Sequence, residues 1–159
     1  MINHLTSGQL IITVCEAELT RDTEAIGSMD PYVKAKWERE GEDKDWKSSM
    51  LEGAGKTPNW LLNSDDHTFE VIVHDMHESI KFIVKDQNVI DTEEIGEFQI
   101  EYSALCFNEG IDEWFTLFHD NASAGKLRLK TRFRDNAITS GETYEEYSSK
   151  MEKELYQLK

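Results

Sequence analysis

The chain has 159 residues and carries 32 Asp and Glu against 17 Lys and Arg, a formal net charge of -15. Such acidity speaks against a nucleic-acid binder, whose affinity rests on Lys and Arg at phosphates, and favours cations or basic partners. Seven Phe, five Tyr and four Trp exclude a disordered composition, and the length suits one globular domain with a segment appended.

Alternating patterns run along the chain. "QLIITVC" sets Leu10, Ile12 and Val14 on one face, and "YVKAKW" sets Val33, Ala35 and Trp37 opposite Tyr32, Lys34 and Lys36. "DWKSSML" at 45–51 follows, then "TFEVIVH" with Phe69, Val71 and Val73, and "SIKFIVK" with Ile80, Phe82 and Val84. "EFQIEY", "EWFTLF" and "KLRLKTRFR" complete a set of eight candidate strands, punctuated by Gly, Asp and Asn. Regularly spaced, half-buried strands without long helices between them predict an all-β fold, an antiparallel sandwich or barrel.

The tail differs. Thr143 followed by Glu146 forms a capping-box pattern, and Tyr144, Tyr147, Met151, Leu155 and Leu158 recur at helical spacing. Residues 135–159 are therefore expected to be a linker and amphipathic helix, packed on the sandwich or offered to a protein partner.

Cys15 and Cys106 lie in no CxxC or Cys/His cluster. That suggests a reducing compartment and no zinc site, although the two could still pair. The longest apolar run, "LIITV", is too short to span a bilayer, and the N-terminus lacks signal-peptide and lipidation patterns. A soluble, cytoplasmic protein is the expectation.

Strands that alternate in direction bring the loops after strands one, three and five to the same end. The first, "EAELTRDTEAIGSMD", carries Asp22, Glu24 and Asp30, and the last, "DQNVIDTEEIG", carries Asp86, Asn88, Asp91, Glu93 and Glu94. Two like charges 4 Å apart repel by about 4 kcal/mol at an effective dielectric near 20, and a hard cation removes that repulsion. Carboxylates, amides and backbone carbonyls on flexible loops suit calcium rather than zinc or copper. Charge pattern alone leaves open whether these residues are ligands or turn-forming, solubilising side chains.

"LIITVCEAELTRDTEAIGSMDPYVKAKW" resembles the first half of a C2 domain, with its Gly-x-x-Asp-Pro-Tyr-Val-Lys motif. "GAGKTPNW", "FIVKDQNVIDTEEIGEFQI" and "EWFTLF" followed by "GKLRLKTRF" resemble later family segments, so the likeness covers residues 8–134. Closing on "KLRLKTRF" resembles the type II strand arrangement. The resemblance implies an eight-stranded sandwich that binds phospholipid, often with Ca2+ bridging protein and headgroup. Asp30 and Asp86 match the family's ligand positions. The second ligand of the first loop falls on Glu24 or Asp22. Asn88 replaces an aspartate, and the last position falls on Glu93, or on Asp91 if the loop has shortened. After Trp60, "LLNSDD" lengthens the second loop.

Ile26, Val89 and Ile90 stand at the tips of polar loops, where they would insert into a bilayer or fold back on the sandwich. Lys34 and Lys36, with Lys47 from the next strand, match lysines that in some C2 domains line a groove for lipid headgroups. A solvated sheet face is the alternative, and it applies to Arg128–Arg134 as well. "HDMHES" superficially suggests a catalytic triad but has no nucleophile or oxyanion motif beside it, and "GAGKT" lacks the spacing of a phosphate loop. No enzyme is expected. Two functions remain: a calcium-dependent module for anionic phospholipid membranes, and a calcium-independent, C2-like protein-interaction scaffold.

Overall fold

A computed structural model describes residues 7–65, 67–88 and 92–135. Among them run eight strands: β1 (Gly8–Leu19), β2 (Pro31–Arg39), β3 (Glu42–Lys47), β4 (Thr68–Val73), β5 (Ser79–Gln87), β6 (Thr92–Glu101), β7 (Asp112–His119) and β8 (Ala122–Asp135). Two single-turn helices, α1 (Trp60–Asn63) and α2 (Tyr102–Leu105), lie in connections. Every pairing is antiparallel, in the order β3-β2-β5-β6-β7-β8-β1-β4.

That order folds into two layers because it is nearly cut at one point. β6 and β7 share one register pair, Glu97 with Phe118, whereas β7 and β8 pair along most of their length. The halves β3-β2-β5-β6 and β7-β8-β1-β4 close on each other, and at the far edge Trp46 of β3 stacks on Phe69 of β4 at 4.4 Å between ring centroids. The alternating residues fill the space between: Leu10, Ile12 and Val14 of β1, with Leu127 and Leu129 of β8 beside them, face Val33, Ala35, Phe82 and Val84 of the other layer, all buried. Each such side chain contributes about 1.5–3 kcal/mol on burial. β8 lies beside β1, the arrangement that the closing "KLRLKTRF" implied.

Several expected boundaries are corrected. β1 continues through Glu16 and Glu18 to Leu19 because those glutamates pair across the ladder with Arg128 (2.8 Å) and Lys126 (3.3 Å). The first acidic loop shrinks to residues 20–30 accordingly. β3 occupies Glu42–Lys47 rather than 45–51. Its early start comes from a two-residue turn, Glu40 (φ 52) and Gly41 (φ 81), whose twist suits a tight hairpin. Its early end comes at Ser48, whose hydroxyl takes the Val33 N–H at 2.8 Å where a strand carbonyl would. β6 begins at Thr92, so the third acidic segment is mostly strand and residues 88–91 alone connect β5 to β6. Cys15 and Cys106 are both buried and both free. Residues 136–159, with the expected helix, lie outside the described residues.

Candidate functional site

The chain direction set by these pairings gathers the ends of β1, β3 and β5 at one pole, and hydrogen bonds tie the three loops there together. Asp30 donates its N–H to Asp86 Oδ1 (2.8 Å), and Gln87 returns its N–H to the Asp30 carbonyl (3.1 Å). The Asp30 carboxylate in turn accepts the Gly53 N–H of the second loop at 2.7 Å. Pro31 makes this possible. It opens β2 in register with Asp86, and its fixed φ sets the direction of the preceding aspartate.

Asp86 is the hub. Its residue surface is 1% exposed, and its second oxygen accepts the Thr23 hydroxyl at 2.7 Å. Burial pushes this carboxyl up, but the hydrogen bonds from Glu24, the Asp30 N–H and the Thr23 hydroxyl outweigh it, and the net direction is below the ordinary carboxylate range. Glu24 carries the opposite shift. The hydrogen bond to Asp86, desolvation and the charges of Asp86, Glu93 and Asp30 push it up to about 7. The two carboxyls are thus pushed apart, Asp86 toward its ionised form and Glu24 toward its protonated form. The first loop is shaped from within by Met29, fully buried, whose sulfur lies 3.5 Å from the Thr23 N–H.

The predicted site residues fall into distinct places. Glu24, Asp30, Asp86 and Glu93 share the pole, and Glu93 stands in register with Asp86 on the neighbouring strand. Asp22 is turned into its own loop, where its carboxylate accepts the Glu24 N–H at 2.9 Å. Asn88 is half-buried just beyond β5, while Asp91, Val89 and Ile90 lie outside the described residues. Ile26 is 90% exposed, so it does not fold back on the sandwich. Thr23 was missed because a hydroxyl in a turn carries no periodic or charge signal.

Donor chemistry fits a hard cation, since every candidate ligand is an oxygen. The upward shift of Glu24, caused in part by the charges of Asp86, Glu93 and Asp30, marks where positive charge would be favourable. Among the described residues, however, no group of three or more His, Cys, Asp or Glu side chains has the spacing to hold a metal ion. The oxygens are present without a closed cage.

Lys34, Lys36 and Lys47 do share the outer face of the β3-β2-β5-β6 layer, with Lys47 directly opposite Lys34. Lys81 stands opposite Lys36 on β5, an addition that only the register reveals. Acids interleave them: Lys34 lies 3.9 Å from Asp45 and Lys81 3.6 Å from Glu97. On the other layer Arg128 is clamped by Asp112 (2.9 Å to each oxygen) and Glu16. The "HDMHES" residues turn apart: His74 faces Glu40, His77 faces Glu101, and the Ser79 hydroxyl accepts the Gln99 amide at 2.6 Å. No helix among the described residues is long and apolar enough to cross a membrane.

Comparison with known proteins places this geometry. A family model described as the C2 domain matches residues 8–117. Synaptotagmin-5 of Arabidopsis thaliana is 24% identical over 135 residues, 84% of this chain and 22% of that protein, so the chain spans about a fifth of its relative. A C2 domain of plant Extended Synaptotagmin 1 superposes with a TM-score of 0.69 at 20% identity, covering 86% of this chain and 100% of that one. Two calcium-bound C2 domains of Extended-Synaptotagmin 2, solved as one chain, give a TM-score of 0.65 at 21% identity, covering 81% and 46%. At these identities the structural likeness is one of fold. Taken with the strand order and the Asp-Pro-Tyr-Val-Lys junction at the acidic pole, the family match makes this chain a member of the C2 domain family of membrane-targeting, lipid-binding modules.

Proposed function

We propose that the chain is a calcium-dependent, phospholipid-binding module that works at the cytoplasmic face of membranes as a peripheral protein. The observation that carries this is the convergence of carboxylates at one pole, where the Asp30 N–H meets Asp86 (2.8 Å), Glu93 stands in register with Asp86, and the charges of Asp86, Glu93 and Asp30 all raise Glu24. A divalent cation there would replace the proton on Glu24. Asp30, Asp86, Glu24 and Glu93 would hold it, with Asn88 as a neutral donor and Asp91 and Asp22 as further carboxylates. When bound, it would supply positive charge to anionic lipid phosphates. The chain's own part is to hold the carboxylates in place through the Thr23 hydroxyl and the Asp30 and Gly53 amides.

Membrane contact would follow from the same pole. Ile26 stands clear of the fold, and Val89 and Ile90 would join it. Burying one such side chain contributes roughly 1.5–3 kcal/mol, enough for shallow anchoring by three. Lys34, Lys36 and Lys47, together with Lys81, would meet anionic headgroups, each contributing about 1 kcal/mol near the surface. The net charge does not forbid this, because charges beyond a Debye length of about 8 Å are screened at physiological salt.

The test is cosedimentation with phosphatidylserine-containing liposomes, in calcium and in chelator, for the protein and for a D30N/D86N double variant. Calcium-dependent binding lost in the variant supports the reading; binding unchanged in the variant refutes it. A second reading, a calcium-independent protein-interaction scaffold, is favoured by one observation. Exposed Phe107 and Trp114 flank a cleft of about 450 Å³ with Ile111 and Phe115, at the pole opposite the acidic loops. Binding in neither condition would select it.

A further inference from the structure

The connection between β3 and β4 runs along the edge of β1 that β4 leaves unpaired before it reaches β4. Leu19 donates its N–H to Lys56 O (2.7 Å), Ala17 to Pro58 O (3.0 Å), and Asn59 bridges to Glu16. This segment is pinned to the acidic pole by the Gly53 N–H on Asp30 and by the Gly55 N–H on the Met29 carbonyl (3.0 Å). Lower down it makes α1, a single turn that is firmly held. Trp60 is fully buried with its indole N–H on Ser49 O (3.0 Å), and Asn59 Oδ1 caps the Leu62 N–H (3.0 Å).

That fixed turn presents apolar side chains outward. Leu62 is 81% exposed and Leu61 is 41% exposed, and next to the turn Met50 lines a cleft with Glu52, Asn59 and Asn63. A loose surface leucine needs no account, but two on a capped, Trp-anchored turn do. Earlier in the same segment Lys56 is exposed and makes no ion pair among the described residues. Exposed leucines and an unpaired lysine on one segment, with Glu52 as its exposed carboxylate, give it the mixed apolar and charged composition of a chain lying at a bilayer interface.

We propose that Met50, Leu61 and Leu62 form a second apolar contact with the bilayer, with Lys56 at headgroup level, and that this contact tilts the sandwich toward its β4 edge. The inference rests on the membrane-binding role assigned above to the acidic pole. Continuity with that pole selects the occupant: the flank begins at Gly53 on Asp30 and ends about 10 Å along β1 from Leu19, taking three residues at about 3.3 Å each. An upright domain would leave the leucines above the interface, and a tilted one submerges them with Ile26.

Two variants of the whole chain, each with one introduced cysteine, Leu62→Cys and Ile26→Cys, labelled with an environment-sensitive fluorophore, test this. Label goes to the introduced thiol because Cys15 and Cys106 are buried and burial raises both thiols, Cys106 to about 12. The vesicles contain phosphatidylserine and phosphatidylcholine, with or without spin-labelled acyl chains, in calcium. Quenching of both probes supports the proposal. Quenching at position 26 without quenching at 62 overturns it and leaves the membrane role of the pole standing. Quenching at neither position overturns both. A shift at position 62 that depends on protein concentration without vesicles assigns the flank to self-association and overturns the proposal. In a L61E/L62E variant, vesicle affinity should fall on the order of tenfold with an unchanged melting temperature.

Discussion

Moving the protein from pH 8 to pH 6 should weaken calcium binding about tenfold, and the number follows from one side chain. With its titration pushed up to about 7, Glu24 is about nine-tenths ionised at pH 8 and about one-tenth at pH 6. A carboxylate ligand binds metal only when deprotonated, so the cation must displace the proton on Glu24. Affinity therefore rises with pH through 7 and levels off above about pH 8. Isothermal titration at several pH values, in two buffers of different ionisation enthalpy, measures both the affinity and the proton released. A E24Q variant has no proton to release; it should bind more weakly at pH 8 and show no slope. His119, whose ring lies 3.6 Å from Glu94, is separated by a H119Q control. An affinity equal at pH 6 and pH 8, or a slope that survives in E24Q, refutes the reasoning.

Without calcium the same pair shapes stability. Glu24's raised value contributes stability that is present below its ordinary 4.5 and is lost as pH climbs through about 7. Asp86's lowered value contributes stability present above its ordinary 3.8 and lost as pH falls through its folded value. Thermal melts in chelator should therefore decline on both sides of a maximum near pH 4, and E24Q should flatten the alkaline side. Thr23→Val removes a hydroxyl 2.7 Å from a carboxylate that is 1% exposed, and should cost about 1.5–3 kcal/mol in urea titrations. Trp60→Ala should cost about 3–5 kcal/mol by the same measurement, because a fully buried ring leaves a cavity and orphans Ser49 O.

Much of this architecture could be read from alternation alone, since a side chain's face on a strand depends only on counting by two. Leu10, Ile12 and Val14 are inside for that reason, and Asp30 and Asp86 meet because strand parity places their junctions at one pole. What counting misses is where a strand stops. β1 outran its apolar pattern because Glu16 and Glu18 find cations across the ladder, and β3 ended early because one serine hydroxyl imitates a carbonyl. That Glu24, and not Asp22, stands against Asp86 was likewise hidden. It depends on the side-chain turn that Asp22 makes with the Glu24 N–H, a local contact invisible in composition. Lys81 joined the lysine face only once β5 had a register against β2.

The pairing of β1 with β8 also decides how the domain carries load. Gly8 faces Asp135 in the ladder and Leu19 faces Gly125, so chain on either side of residues 8–135 departs from one pole while the acidic loops crown the other. Tension between those departure points meets the ladder end-on, at the Gly8–Asp135 pair. It parts that ladder rung by rung, as a zipper opens, and does not shear all the rungs together. The acidic pole lies outside this path until the last rungs beside Leu19 yield. A tether pulling on the domain would thus unzip its base while Asp30, Asp86 and Glu24 kept their grip on whatever they held.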